Sequence, residues 1–332
     1  MSARTGATLA VLGGSSPATP GLIQALRTAQ RNERLGPLQL RLYGRNAIQL
    51  QRICEYAAFV TTKSHPHATH EPALQLVPCV SIATALAGAT HILCMVRPGG
   101  MRGRADDEAL ALSCGVPADE GLAAGGLRCF LRGRALIGAL AEHCARHAPN
   151  AHLLQMTSPL GLNVAITRRA FGERACGVCE LPLTTARKVA HSAEQQGHMC
   201  WSSHSHAGLN HQSWLYAFRD ARGRDVTGRV LNAITSESLL GVAPTKIREC
   251  GAVPVHYLRM YLHTRRVLNA QRAAMLRGRA LTAWSRRVNR ALCAAHAPKP
   301  RMVERLLAER TMDWCRDGVV PVLEALLGPD PV

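Results

Sequence analysis

Asn210 and His211 stand directly ahead of an apolar run, in HAGLNHQSWLYAF. An imidazole so placed serves either as a core histidine with satisfied hydrogen bonds or as a group held for chemistry. Cys176 and Cys179 form a C-x-x-C, a spacing that suits zinc or redox chemistry, but no second C-x-x-C completes a tetrahedral set. His204 and His206 offer an alternative metal cluster with His211. A different chemistry is suggested by GGSSPATP near the start of the chain. There Gly13 and Gly14 allow a tight turn, Ser15 and Ser16 follow, and Thr19 and Pro20 read as the N-cap and first residue of a helix. Backbone N–H groups and the positive helix end would then face an anion such as a pyrophosphate, although a full G-x-G-x-x-G is missing. Further on, in LYGRN, Arg45 stands where an NAD-binding fold usually carries Asp or Glu. An arginine pairs with a 2′-phosphate, so NADP stays open beside a plain solvent-facing side chain.

Such residues need elements to carry them. TLAVLGG, LQLRLYG, HILCMV and HLLQMTS read as strands, and TPGLIQALRTAQ and SIATALAGA as helices between them. This alternation predicts a parallel, doubly wound α/β sheet of the Rossmann type, with ligands beyond the carboxyl ends of its strands. The stretch RPGGMRGRADDEALALSCGVPADEGLAAGG, rich in Gly and charge, is expected to be a functional loop with one short helix. A long amphipathic helix follows, ending at Pro149. Beyond about residue 165 the pattern turns mixed, with a helix near LTTARKVAHSAEQQ, extended stretches from Trp201 to Phe218, and helices through RRVLNAQRAAMLRGRALTAW and KPRMVERLLAER. Two domains are expected: a dinucleotide-binding domain over 1–165 and an α+β substrate- and metal-binding domain over 166–332.

Composition narrows the partners. At 332 residues and 47% hydrophobic the chain can bury a substantial core. No run is long and apolar enough for a membrane span, and the N-terminus passes into a strand without a signal-peptide pattern, so a cytoplasmic location without a membrane partner is expected. Its 12 cysteines are scattered, and reduced thiols are the expectation. The net charge of +18 favours an anionic metabolite or phosphate-bearing cofactor. With only 4% aromatic residues and no basic block interleaved with them, nucleic acid is disfavoured.

In order along the chain, GGSSPATP, VRPGGMRGRADDE, GVCELP, GLNHQSW and CGAVPVHYLRMY resemble the segments of family 4 glycoside hydrolases. The resemblance runs over roughly residues 8–262. It implies a nucleotide domain similar to that of lactate and malate dehydrogenases, dependence on NAD and a divalent metal of the Mn type, and substrates that are often 6-phosphoglycosides. In that family the cofactor oxidises the 3-hydroxyl, a base removes the acidified hydrogen on carbon 2, the glycosidic oxygen is eliminated, water adds, and the ketone is reduced. This route is an exception to the paired-carboxylate glycosidases. The resemblance assigns the metal to Cys179 and His211, the catalytic base to Tyr257 with Tyr261 as second choice, and an acid to Glu180. Arg97 falls among the cofactor contacts with Gly13, Gly14, Ser15, Ser16, Thr19, Pro20 and Arg45. Arg104, Asp107, Ser158 and Asn210 fall among the substrate contacts. A homo-oligomer, dimer or tetramer, is also implied.

Departures mark a divergent member. Ser158-Pro159-Leu160-Gly161 replaces the family's N-P-x-G, and ADEGLAAGG keeps only Gly125 and Gly126 of the family's glycine-rich loop. Glu180 stands where Asn or Asp, an acid in some members, usually follows the ligand Cys, so either the acid has moved or the leaving group differs. Two other functions remain in view: an NAD(P)-dependent dehydrogenase of a sugar, polyol or hydroxy acid, and a non-catalytic nucleotide-binding sensor.

Overall fold

The computed structural model describes residues 6–64, 74–197, 201–294, 297–310 and 312–327. Six parallel strands form the main sheet: β1 (Ala7–Leu12), β2 (Leu38–Tyr43), β3 (Leu74–Cys79), β4 (His91–Cys94), β5 (His152–Gln155) and β6 (Ala175–Gly177). Their spatial order is β3-β2-β1-β4-β5-β6. Strand order reverses between β1 and β4, the place at which such sheets open a crevice for ligands. Seven helices connect and flank these strands: α1 (Thr19–Arg31), α2 (Ala47–Ser64), α3 (Ile82–Leu86), α4 (Gly100–Ser113), α5 (Ala123–His147), α6 (Leu160–Phe171) and α7 (Leu181–Gln195).

The near-continuous apolar character of β1 follows from burial on both faces. Leu9 and Val11 point into one core with Leu22 and Ile23 of α1, while Ala10 and Leu12 point into the other with Cys144 of α5 and Phe171 of α6. Side chains alternate across a strand, so one sequence run feeds both layers.

The chain then forms a small antiparallel sheet, β7 (Ser203–Leu209), β8 (Gln212–Arg219) and β9 (Val253–Pro254), ordered β7-β8-β9. Around it lie α8 (Thr227–Asn232), α9 (Pro244–Cys250), α10 (Arg259–Leu262) and α11 (Thr264–Ala273), over a third core that includes Leu215, Phe218 and Ile247. Finally α12 (Arg277–Leu292), α13 (Pro300–Ala308), a π-helical turn (Trp314–Val319) and α14 (Val320–Leu327) return to the first sheet. Trp284, Val288, Val303, Leu306, Val319 and Leu323 from these helices join the core beside α1 and α2.

The expected α/β sheet followed by mixed α+β structure is what the chain forms. The expected division at residue 165 does not coincide with a linker. That residue lies inside α6, β6 extends the sheet beyond it, and the C-terminal helices pack on the sheet's α1–α2 side. The Gly- and charge-rich stretch after β4 carries more helix than expected, the 14 residues of α4 and the first turn of α5. Its charges are absorbed by ion pairs: Glu108 takes Arg104 one turn away and also accepts the Gly278 N–H at the start of α12. No helix among the described residues is long and apolar enough to cross a membrane.

Candidate active site

The carboxyl ends of β1, β4, β5 and β6 run into loops that converge on one cavity of about 220 Å³. Ser16 comes from the first loop, Arg97 from the second, Ser158 from the third, and Cys179 and Glu180 from the fourth. The small sheet adds Asn210 and His211, and Tyr257 reaches in from a single helical turn at 256–258.

At the first loop Gly13 has φ +96°, and a Cβ there would sit 3.2 Å from the Met95 carbonyl carbon, so only glycine fits this turn without strain. The Gly13 and Gly14 amides both donate to the Tyr43 carbonyl, at 2.9 and 2.7 Å. Contrary to expectation, these two N–H groups are therefore committed to β2 and do not face a ligand. The helix also begins one residue earlier than its cap chemistry suggested. Thr19 is its first residue, wholly buried with an unpaired hydroxyl, and Pro20 its second. Ser16 serves the turn instead: its carbonyl accepts from the Thr19 N–H at 3.0 Å and its hydroxyl from the Ala18 N–H at 3.2 Å. Ser15 follows the two glycines in this loop, and Arg45 lies exposed beyond β2.

His211 answers the question raised by its sequence position. Asn210 and His211 are the two-residue connection of the β7–β8 hairpin, with Leu209 paired to Gln212 and His211 in the left-handed region at φ 66°. The apolar run after it is β8. The imidazole Nδ1 lies 3.1 Å from Oδ2 of Asp119, a carboxylate only 3% exposed, and its ring stacks on Tyr257 with centroids 4.4 Å apart. Burial opposes a charge on His211, but the hydrogen bonds to Asp119 and to the Cys179 sulfur outweigh it and push the pKa up to about 10. Cys179 and His211 thus face each other across the cavity.

This pair fits a divalent cation. With Nδ1 held by a carboxylate, Nε2 remains for the metal, the arrangement that orients metal-bound imidazoles. No cluster of three or more His, Cys, Asp or Glu side chains gathers as a cation cage among the described residues, so further positions would be left to other oxygens. His204 does not join His211: its ring accepts from the Trp201 indole N–H at 3.2 Å and stacks on Phe218. Cys176 and Cys179 are both free thiols.

Acid and base candidates are set apart by their surroundings. Burial raises the Tyr257 pKa far above its ordinary value, and the Asp119 and Glu120 carboxylates raise it further. The phenol keeps its proton unless a positive charge is placed beside it. Burial also raises the Glu180 carboxyl, opposed by its backbone hydrogen bond and by His211. A carboxyl so raised keeps its proton to a higher pH than a solvated one, as a proton donor must.

Glu120 behaves oppositely. Burial would raise its pKa, but Arg97 at 2.7 Å and Arg104 at 2.6 Å bring it down to about 2. Arg97 and Arg104 are consequently balanced within the protein. Arg104 lines an adjoining cavity behind Tyr257, not the main one. Asp107, expected among the substrate contacts, is 1% exposed and locked in a bidentate pair with Arg132. It lies outside the cavity because α5 draws its carboxylate into the helix interface. Tyr261 is 47% exposed, bonded to Gln212, and also outside.

Four cavity or support residues were not anticipated: Asp119, Glu120, Arg310 and Trp314. The acidic pair lies in ADEGLAAGG, where its carboxylates were the one visible signal. Arg310 and Trp314 carry no local signal at all, being brought from the C-terminal helices by tertiary packing.

The model of the family 4 glycosyl hydrolases matches residues 8–195. The 6-phospho-alpha-glucosidase of Leptotrichia buccalis is 24% identical over 219 residues, covering 66% of this chain and 48% of that protein. A 6-phospho-beta-glucosidase of Thermotoga maritima is 23% identical over 223 residues, covering 67% and 50%. The chain thus spans about half the length of the curated relatives it matches. Among solved structures, a Thermotoga maritima 6-phospho-beta-glucosidase with manganese, NAD+ and glucose-6-phosphate superposes with a TM-score of 0.78 at 20% identity, covering 96% of this chain and 73% of that one. A 6-phospho-alpha-glucosidase from gut microorganisms with NAD and Mn2+ gives 0.75 at 20% identity, covering 97% and 74%. These likenesses establish the shared fold, and with the match over more than half of its residues the chain belongs to family 4 of the glycosyl hydrolases.

Proposed function

We propose that the chain is an NAD+- and divalent-metal-dependent glycosidase that cleaves a sugar, phosphorylated as in its relatives, by oxidation, proton abstraction and elimination. The observation that carries this reading is the single cavity in which Cys179, Asp119-held His211, Tyr257 and Glu180 meet at the carboxyl ends of the strands. Bound NAD+ would accept hydride from the carbon bearing a sugar hydroxyl, that hydroxyl losing its proton, and a divalent cation, Mn2+ in the related structures, would polarise the sugar oxygens.

Cys179 and His211 would hold the cation, with Asp119 fixing the imidazole. Tyr257, stacked on His211, would take the proton from carbon 2, its phenolate stabilised by the positive charge beside it. Glu180 would deliver a proton to the leaving oxygen. Asn210 and Ser158 would orient sugar hydroxyls. Ser15 and Ser16 at the β1–α1 turn, with Arg97, would border the dinucleotide, and Arg45 would meet a 2′-phosphate if NADP is taken. In this division of labour the sheet binds cofactor and the later half supplies metal ligand and base. Self-association is supported by Leu127, Leu131 and Leu136 on α5, each at least 51% exposed.

The test is incubation with NAD+, Mn2+ and 6-phosphoglycosides in D2O. Deuterium at carbon 2 of the released sugar, lost in Cys179→Ser and His211→Asn, is expected. Net NADH production without cleavage would replace this reading with the dehydrogenase, and no cofactor binding would remove both.

A further inference from the structure

Among the described residues, one arginine of the cavity has no ion-pair partner, and Glu120 acts on it only at longer range. Arg310, between α13 and the π-helical turn, lines it together with Arg97, Glu120 and Trp314. Glu120 is shared by Arg97 and Arg104, Glu108 is taken by Arg104 and the Gly278 N–H, and Asp119 by His211. No carboxylate among the described residues forms an ion pair with Arg310. What holds the guanidinium is the face of Trp284, whose ring centroid lies 5.2 Å from Cζ. That indole is itself fixed by donating to the Leu306 carbonyl at 2.7 Å. A stacked guanidinium keeps its N–H edge free for planar recognition of an oxyanion.

Burial and then the neighbouring charge of Arg277 hold the Arg310 pKa below its ordinary range. An arginine does not lose its proton in a protein, so a partly buried one calls for an anion. Residues 297–310 lie outside the part matched by the family model, which ends at 195.

We propose that Arg310 is a ligand-specificity residue: it pairs with a phosphate oxyanion of the bound molecule, either the phosphate of a phosphorylated sugar or the pyrophosphate of the dinucleotide. The choice of these ligands rests on the glycosidase reading, whereas the unpaired guanidinium does not.

Titration calorimetry of the full chain with inorganic phosphate, NAD+ and glucose 6-phosphate, and with Mn2+ as control, tests it. Arg310→Met preserves an apolar stem against Trp284 and is expected to weaken at least one phosphate-bearing probe by about tenfold or more, since hydrogen bonds to charged groups carry effects of that size. Mn2+ affinity should not change. Arg310→Lys keeps the charge without the fork and should fall between, which covers the case of a poorly folding Arg310→Met. Loss confined to glucose 6-phosphate identifies the sugar phosphate as the partner, and loss confined to NAD+ the pyrophosphate. Unchanged affinities, an equal drop for Mn2+ and every phosphate probe, or a wild type that binds no phosphate probe would overturn the proposal. A tenfold loss in Arg310→Met alongside no deuterium exchange in the wild type would sink the glycosidase reading and leave the role of Arg310 standing.

Discussion

The parallel sheet and the later half of the chain build the same cavity by different means. In the sheet, strand ends set positions: Ser16, Arg97, Ser158 and Cys179 each lie a few residues beyond a strand, and their relative places follow from strand order. In the later half His211 sits on a hairpin connection, Tyr257 on one helical turn, and Arg310 between helices, each located by side-chain pairing rather than by a layer. The lesson is that the first half positions its groups through packed layers, while the second positions the candidate catalytic groups through a handful of contacts. Function and stability should therefore separate when each half is perturbed.

The sharpest break is expected at Tyr257→Phe, which removes the proposed proton acceptor while leaving the ring stacked on His211. Turnover should fall by about 10²–10⁴-fold in steady-state assays, with cofactor affinity retained. A comparable loss of cofactor affinity would show that Tyr257 shapes the platform too. Next comes the sheet itself: Leu40 is fully buried, so Leu40→Ala should cost about 2–5 kcal/mol in denaturant unfolding, with any surviving folded protein still active.

Acid pH should act on the seam between the halves. Glu120 has its pKa lowered from 4.5 to about 2, so its pairing contributes above its unfolded value and is lost as pH falls through that window. The unfolded state binds the proton first, and stability must drop with falling pH. Unfolding curves between about pH 4.5 and 2 should be steeper for wild type than for Glu120→Gln, by an integrated amount on the order of 3 kcal/mol; parallel curves would mean the arginines are satisfied otherwise. A smaller change is expected from Asp119→Asn, which keeps a hydrogen bond to His211 but loses the charge: Mn2+ affinity should weaken by about 10–100-fold. Smallest is Leu209→Ala beside the hairpin connection, where a 72% exposed side chain should change stability by no more than about 0.5 kcal/mol. A larger effect would reveal that this edge is covered in solution.

Sequence legibility divides along the same line. Strands such as β1 and β2 are readable because apolar runs bounded by Gly declare themselves, and Cys179, His211 and Tyr257, singled out by ordered motifs, do line one cavity. The helix α4 was not, because Arg104, Asp107 and Glu108 look solvated until their partners on α5, α12 and the 114–122 loop are in place. Asp119 pairs with His211 across 92 residues, a separation at which no pattern in one chain announces a contact. Thr19 looked like a cap because its type suits one, yet Ser16 had already supplied the turn's acceptors.

The π-helical turn has a consequence for the order of assembly. Asp317, 3% exposed, joins that turn to α7 through Arg187 and Thr184, and Gly318 lies against Val178 and Glu180. The loop that carries Cys179 therefore gains its outer wall from residues made some 130 positions later. On the ribosome, which releases the N-terminal part first, the sheet can close long before this wall arrives. A nascent chain halted before residue 314 would present its thiol at an open rim, and the cavity is completed only once residues 314–319 have emerged.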